Sequence, residues 1–154
     1  MSIRNAYRQI LCYKKHCVKH FKHRVYCWCY RWAVFRQHIR EIDDNARLLC
    51  TDQLVKYQQH IGGANNVSVT SVFKCVDFRS FFIPYGGVEP KPSKKDIELR
   101  IPEWIEFLRL VEVINNTYPD LATSLPCYME LDHASQMSAL KCSECYPFVD
   151  TDFI

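Results

Sequence analysis

The stretch that decides the fold is WAVFRQHIREIDDNA, residues 32–46, and its pattern returns as WIEFLRLVEVINNTY, residues 104–118. Each copy begins with tryptophan, and large apolar side chains then recur in steps of three and four residues. They are Trp32, Phe35, Ile39, Ile42 and Ala46 in the first copy, and Trp104, Phe107, Val111, Ile114 and Tyr118 in the second. Such steps place each set on one face of an α-helix that must be buried. The shared order of side chains predicts two related helices, 72 residues apart.

Residues at the ends of these stretches set the predicted helix boundaries. The first helix is predicted from about Arg31 to Leu49. In the second helix, Pro102 suits the first turn, because its missing N–H is not needed there, and Pro119 closes the helix. The chain is therefore expected to carry one helix before its strands and one after them.

Strand-forming residues fill the interval between the two helices. The predicted strands are residues 57–61, 67–72, 73–83 and 94–101. Gly62 and Gly63 separate the first two strands, while Pro84, Gly86 and Gly87 form a turn cluster. Helix, antiparallel strands and helix in this order predict an α+β fold, with each helix covering one sheet face.

Charge is distributed unevenly along the chain, whose net charge is +3. Residues 1–40 hold ten Lys or Arg and no acid, whereas the stretch from Asp120 onward holds six acids and one base, Lys141. A basic segment with interleaved aromatics such as Tyr7 and Tyr13 suits a polyanion. A solvated arm and a nuclear import signal are the other interpretations of this segment.

Two classes of protein are disfavoured by what the sequence lacks. No uninterrupted apolar run reaches the roughly 18 residues of a membrane span. Lys14 and Lys15 fall where a secretory signal needs apolar residues, so we expect a soluble intracellular protein with no membrane partner. An enzyme is also disfavoured, because the sequence contains no glycine-rich phosphate loop, nucleophile elbow or metalloprotease motif.

Three further pieces of sequence follow one another in the order expected for a known domain. They are VDFRSFF at residues 76–82, KPSKKDIEL at 91–99 and EWIEF at 103–107. From about Tyr57 to Thr117 the chain thereby resembles the C-terminal single-strand-binding domain of the transcriptional coactivator positive cofactor four. The first helix is similar to the helix of the same family through its Ile-Asp-Asp sequence, residues 42–44. The resemblance thus covers one full copy and one degraded copy.

This resemblance implies both an architecture and a function. The family forms a twisted antiparallel sheet followed by a helix, and it dimerises to hold two antiparallel single strands. Two copies in one chain suggest an intrachain pseudo-dimer, with a homodimer of whole chains as the other arrangement. The implied activity is binding of single-stranded or unwound DNA, without bond chemistry, in a transcription-coactivator role. A nuclear location and transcription proteins as further partners follow from the same resemblance.

The DNA-binding residues are expected on the strands of the full copy. By resemblance the contacts are Arg79, Phe82 and Lys95, and a bulge is required to bring Arg79 and Phe82 to one face. Further candidates by residue type are Phe73, Lys74, Lys94 and Arg100. Core aromatics and solvated lysines are the alternative interpretation. Asp96 and Glu98 depart from the family pattern, which favours a reduced DNA affinity or a surface turned toward proteins.

The cysteines form a second candidate site. Nine cysteines without a signal peptide indicate reduced thiols, or thiolates on a metal, rather than a disulfide framework. The spacing Cys127-x5-His133-x8-Cys142-x2-Cys145 supplies the four groups that tetrahedral zinc takes, and free or redox-exchanging thiols are the alternative. Cysteines 12, 17, 27 and 29, with histidines 16, 20 and 23, fit no familiar zinc spacing, so free thiols are expected there.

The predicted organisation has four parts. Residues 1–30 form a basic Cys/His-rich arm or degraded strands, 31–50 the helix of the degraded repeat, 55–118 the full domain, and 119–154 an acidic Cys-containing tail. DNA binding requires no cofactor in this interpretation, and zinc in the tail is an additional hypothesis. The alternative function is a protein-interaction module with little DNA binding, whose C-terminal tail is a candidate zinc site.

Overall fold

The chain runs through one long helix, four strands, a second helix and a segment of short turns. A computed structural model describes residues 22–51, 53–133 and 135–148, with the backbone alone for 22–28, Lys95 and Asp132. The helices are α1 (Lys22–Leu48), α2 (Ile101–Thr117), α3 (Pro119–Thr123) and α4 (Gln136–Leu140), with 3₁₀ helices at Cys127–Met129 and Leu131–His133. The strands are β1 (Lys56–Gly62), β2 (Asn65–Thr70), β3 (Cys75–Phe82) and β4 (Lys91–Arg100). Among the described helices, none is both long and apolar enough to cross a membrane.

The four strands form one antiparallel sheet in the order β1-β2-β3-β4, so each strand pairs with its neighbour in the chain. The predicted α+β fold, with an antiparallel sheet and a C-terminal helix, is confirmed. Val72 and Phe73, predicted as strand residues, lie instead in the turn between β2 and β3. Lys74 adopts a φ of 50° there and its amide donates to the Thr70 carbonyl at 3.0 Å. This left-handed residue ends the regular strand and closes the hairpin.

The sheet has one apolar face and one polar face, because the two residue types alternate along its strands. The apolar face carries Val67, Val69, Val76, Phe78, Ile97 and Leu99, and the polar face carries Ser68, Asp77, Arg79, Asp96 and Glu98. Both long helices cover the apolar face rather than one face each. The ring of Phe78 lies 5.6 Å from Phe35 of α1 and 6.4 Å from Trp104 of α2, centroid to centroid.

The two long helices exchange equivalent hydrogen bonds. The indole N–H of Trp32 on α1 donates to Asn115 Oδ1 on α2 at 3.0 Å. The indole N–H of Trp104 on α2 donates to Asp43 Oδ1 on α1 at 3.1 Å. Both the tryptophans and their acceptors are separated by the 72-residue interval of the repeat. Such a reciprocal contact is what a two-fold related interface produces, here between two parts of one chain.

The first helix is longer than the sequence predicted. It begins at Lys22 rather than near Arg31, and no proline or glycine lies between these positions to stop a helix. Lys22 is also the first residue that the structure describes. The second sheet of a pseudo-dimer is therefore not confirmed, and the predicted strand remnants before residue 22 lie outside the described residues.

The exchanged hydrogen bonds lead to a stability prediction for Asp43. Replacing Asp43 with alanine leaves the buried N–H of Trp104 without its acceptor, which is expected to cost about 1–3 kcal/mol of unfolding free energy. The neighbouring Asp44 is exposed on the same helix, and Asp44→Ala is expected to change stability by less than about 0.5 kcal/mol. Urea denaturation of both variants measures the difference. Equal losses would contradict a specific role for the Trp104–Asp43 bond.

Candidate functional site

Exposed aromatic and basic side chains lie at the two ends of the ladder between β3 and β4. The ladder pairs Cys75 with Arg100 at one end and Phe82 with Lys91 at the other. At about 3.3 Å per residue, these ends lie roughly 25 Å apart. We call the exposed residues at its ends the ladder strip: Phe73, Lys74 and Arg100 at one end, and Phe82, Lys91 and Lys94 at the other.

The aromatic candidates divide between the surface and the core. Phe73 is 75% exposed in the β2–β3 turn, and Phe82 is 48% exposed at the end of β3. Phe78 instead packs against the aromatic rings of both helices, so the core interpretation applies to it. Tyr85 is a fully exposed aromatic that the sequence reasoning missed. Its signal is the Pro-Tyr-Gly-Gly turn, which offers no sheet face to bury a ring.

The basic candidates at the two ends of the ladder strip are available to a ligand. Lys74, Lys94 and Arg100 are exposed, and their side chains form no ion pair with the residues that the structure describes. Lys91 has the same properties and was not among the predicted contacts. The backbone of Lys95 belongs to β4, but its side chain lies outside the described part of the chain.

Arg79, the central predicted DNA contact, is already paired with carboxylates. Its Nη2 lies 2.6 Å from Asp96 Oδ2 and 3.3 Å from Glu98 Oε1. Its Nε lies 2.9 Å from Asp77 Oδ2, as an ion pair without an aligned hydrogen bond. The β3–β4 register creates this arrangement, because it places Asp96 opposite Arg79 and Glu98 opposite Asp77. The carboxylates therefore compete with a phosphate for Arg79.

The carboxylates around Arg79 outnumber its single positive charge. Burial raises the pKa of the Asp77 carboxyl above its ordinary value, and the neighbouring Asp96 and Glu98 raise it further, while Arg79 opposes the shift. The three acids thus leave excess negative charge in the middle of the strip when they are ionised. A phosphate is repelled there, whereas the two ends of the ladder strip attract it.

The β3–β4 ladder is irregular near Arg79, but β3, where the resemblance required a bulge, keeps its regular alternation, so Arg79 and Phe82 stay on opposite faces. Pairing between β3 and β4 changes register between Arg79 and Phe81, where residues 93–95 of β4 lie opposite Ser80 alone, so β4 carries two extra residues. A bulge bends the strand and alters the direction of the side chains beside it. The irregularity occurs between the two predicted contacts, Arg79 and Phe82.

The C-terminal segment brings the four predicted zinc ligands together. Cys127 begins one 3₁₀ helix, His133 ends the next, and Cys142 and Cys145 belong to the turn after α4. That turn is closed by the amides of Cys145 and Tyr146, which both donate to the Cys142 carbonyl, at 3.1 and 2.8 Å. We call Cys127, His133, Cys142 and Cys145 the Cys/His cluster. Their ligand atoms all lie within 4.8 Å of one another.

The distances within the Cys/His cluster fit a tetrahedral ion. Cys145 Sγ lies 3.3 Å from Cys127 Sγ and 3.4 Å from His133 Nε2. Ligands at zinc bond lengths around a tetrahedron are separated by roughly 3.5–3.7 Å. Three thiols and one imidazole are also a donor set that zinc uses in structural sites. The residues present therefore fit a zinc ion.

Burial makes the thiols of this cluster weak acids when no cation is near. It raises the pKa of the Cys127 thiol well above the usual range, and the adjacent Cys145 and Cys142 raise it further. Burial also raises the pKa of Cys145. A divalent cation reverses this preference, because it stabilises the thiolates that bind it.

The N-terminal cysteines and histidines lie mostly outside the part of the chain whose side chains the structure describes. Cys12, Cys17, His16 and His20 lie outside the described residues, and of Cys27 only the backbone is described. Cys29 is partly buried in α1. The prediction of free thiols for this segment stays a prediction.

Comparisons with protein-family models, with curated proteins and with solved structures found no match to the chain. The likeness to positive cofactor four therefore rests on the residue pattern of β3, β4 and the two long helices. Two places carry chemistry that bears on function: the ladder strip on the sheet and the Cys/His cluster beyond it.

Proposed function

We propose that the chain binds single-stranded DNA along the ladder strip. The observation that carries this proposal is that aromatic and basic side chains are exposed together at both ends of one β-ladder. An aromatic face stacks on a base and contributes on the order of 1–3 kcal/mol, while cations beside it attract the phosphates. Bases in a duplex are covered by their neighbours, so stacking of this kind selects unpaired strands.

The ion pairs of Arg79 set the strength of this binding. Arg79 is paired with the carboxylates of Asp77, Asp96 and Glu98, which also repel phosphate. The DNA backbone therefore gains its contacts at the two ends of the strip. Fewer phosphate contacts reduce affinity and also reduce its dependence on salt. We therefore expect a modest affinity that retains a negative salt slope.

The test of this proposal is the salt dependence of binding to a labelled, unstructured oligonucleotide. Lys74, Lys91, Lys94 and Arg100 offer the cations at the ends of the strip. Their phosphate contacts release counterions, with a slope of log affinity against log salt near −0.7 for each contact to a single strand. Fluorescence anisotropy between low and physiological salt measures that slope. A flat dependence would rule out phosphate binding by the strip.

We also propose that the Cys/His cluster holds a structural zinc ion. Cys127, Cys142 and Cys145 supply three thiolates and His133 supplies an imidazole nitrogen, which completes the four ligands of a closed site. The ion would join three short turns that have little apolar core of their own. This role requires no reaction at the metal and no open coordination position.

The helix pairing supports a further part of the proposal, an intrachain pseudo-dimer. The reciprocal hydrogen bonds of the Trp32 and Trp104 indoles form within one chain the kind of contact that a two-fold dimer forms between chains. A monomeric chain in analytical ultracentrifugation is what this arrangement requires, and a homodimer is the competing state. The coactivator role, the nuclear location and transcription proteins as partners remain parts of the same proposal.

A protein-interaction module is the second candidate function, and the ion pairs of Arg79 favour it. A sheet whose central cation is neutralised is a poorer phosphate surface and a better site for a partner of mixed charge. Large apolar side chains are also exposed around the cluster, including Tyr128, Met129 and Leu131. Little binding to either single-stranded or duplex DNA is the result that this candidate predicts.

A further inference from the structure

We infer that Glu144 couples the Cys/His cluster to the β1–β2 hairpin, so that zinc binding and the order of this hairpin depend on each other. The inference rests on the zinc site proposed above. Glu144 lies between the ligands Cys142 and Cys145 in the same turn. Its side chain is buried, with only 7% of its surface exposed.

The buried carboxylate of Glu144 is held by Arg31 of α1. Arg31 Nε donates to Glu144 Oε2 at 2.7 Å, and Arg31 Nη2 donates to Glu144 Oε1 at 2.7 Å. This two-bond contact fixes both the position and the orientation of the carboxylate. The turn of the cluster is thereby attached to the first long helix.

The same residue contacts the sheet through its backbone. The carbonyl of Glu144 accepts a hydrogen bond from the Gly63 amide at 2.8 Å. Gly62 and Gly63 form the turn of the β1–β2 hairpin, with φ values of 107° and 56°. Glu144 therefore links α1, the hairpin turn and the metal ligands at one point.

The two glycines are required by this contact as well as by the turn. A Cβ on Gly62 would lie 2.8 Å from Arg31 Cγ and 3.0 Å from Glu144 Oε2. A Cβ on Gly63 would collide with the guanidinium of Arg31. The hairpin turn and the Arg31–Glu144 pair thus occupy one close-packed volume, and neither can shift without the other.

Zinc acts on this contact because it fixes Cys142, two residues before Glu144, and Cys145, the residue directly after it. With Cys142 and Cys145 bound to one ion, the turn that carries Glu144 has a single conformation. Without the ion, the turn is ordered by its own hydrogen bonds to the Cys142 carbonyl, by the Arg31 pair and by the Gly63 bond. By thermodynamic linkage, the free energy by which zinc stabilises the hairpin contacts equals the free energy by which those contacts favour zinc binding.

The experiment measures zinc affinity by competition with a chromophoric chelator, using the full chain. We expect Glu144→Gln and Arg31→Met each to weaken zinc binding about tenfold or more, as loss of supporting contacts around metal sites does. The double variant is expected to be no weaker than the more affected single variant, because both remove one interaction. The control is Glu112→Gln, which removes an exposed carboxylate on α2 and should leave zinc affinity unchanged.

Hydrogen exchange of the Gly63 amide provides a second readout that needs no substitution. Removing zinc from the wild-type chain is expected to accelerate this exchange at least tenfold, while amides in the centre of β3 keep their protection. Wild-type zinc affinity in Glu144→Gln, or unchanged Gly63 protection without zinc, would overturn the coupling. A wild-type chain that takes up no zinc would instead overturn the metal site, and the coupling with it.

Discussion

Replacing Cys142 with serine is expected to abolish stoichiometric zinc binding and to loosen the C-terminal segment. Serine leaves three protein ligands, Cys127, His133 and Cys145. Structural zinc contributes roughly 10–16 kcal/mol of binding free energy in small zinc domains, so loss of one thiolate is expected to lower affinity by about a hundredfold or more. Elemental analysis of purified protein gives the zinc content directly.

Cys50 provides the matched control for this experiment. It is a free, exposed cysteine just beyond the end of α1 and lies outside the Cys/His cluster. Cys50→Ser should retain one zinc per chain and the hydrogen-exchange pattern of the wild type. Zinc retained by Cys142→Ser, or lost equally from both variants, would contradict the assignment of ligands.

Neutralising the acids around Arg79 is expected to strengthen DNA binding. The double variant Asp96→Asn with Glu98→Gln removes two negative charges from the middle of the strip and releases Arg79 from both partners on β4. A pair of unit charges at 4 Å contributes about 1 kcal/mol in bulk water, so a gain of at least tenfold in affinity is expected. The salt slope should also become steeper, since Arg79 gains a phosphate contact.

A change in overall charge alone has to be separated from this local effect. Glu112→Gln with Asp120→Asn removes the same formal charge from exposed positions on α2 and α3. That control is expected to change affinity by less than about threefold, because screening over roughly 8–10 Å weakens distant charges. An equal gain in both double variants would show that the acids beside Arg79 have no specific role.

The two helices and the order of the strands along the chain were predictable from the sequence because their signals are local. Steps of three and four residues located α1 and α2, and the glycine pair located the β1–β2 turn. The start of α1 was missed although Val25 and Trp28 continue its steps of three and four residues, because the Lys and Arg among them led to a predicted basic arm. The placement of both helices on one sheet face was not predictable, because it depends on which strand residues point to that face. That in turn depends on the strand register.

The candidate sites were predictable only as sets of residues. Spacing identified the four members of the Cys/His cluster, because zinc ligands tend to recur at short intervals. The pairing of Arg79 with Asp96 was not predictable, since it follows from the β3–β4 register on one side of a bulge. A shift of one residue in that register moves the opposing side chain to the other face. The contact of Glu144 with Arg31, 113 residues away, has no sequence signal at all.

Selective binding of single-stranded DNA by the ladder strip is tested most directly by comparing one labelled oligonucleotide with its duplex. The wild-type chain is expected to bind the single strand at least tenfold more tightly, because only unpaired bases stack on Phe73 and Phe82. Lys91→Ala with Lys94→Ala should remove most of this binding and reduce the salt slope by about 1–2, while Arg40→Ala with Lys141→Ala should not. Equal affinity for single strand and duplex, unchanged by Lys91→Ala with Lys94→Ala, would contradict the proposed function.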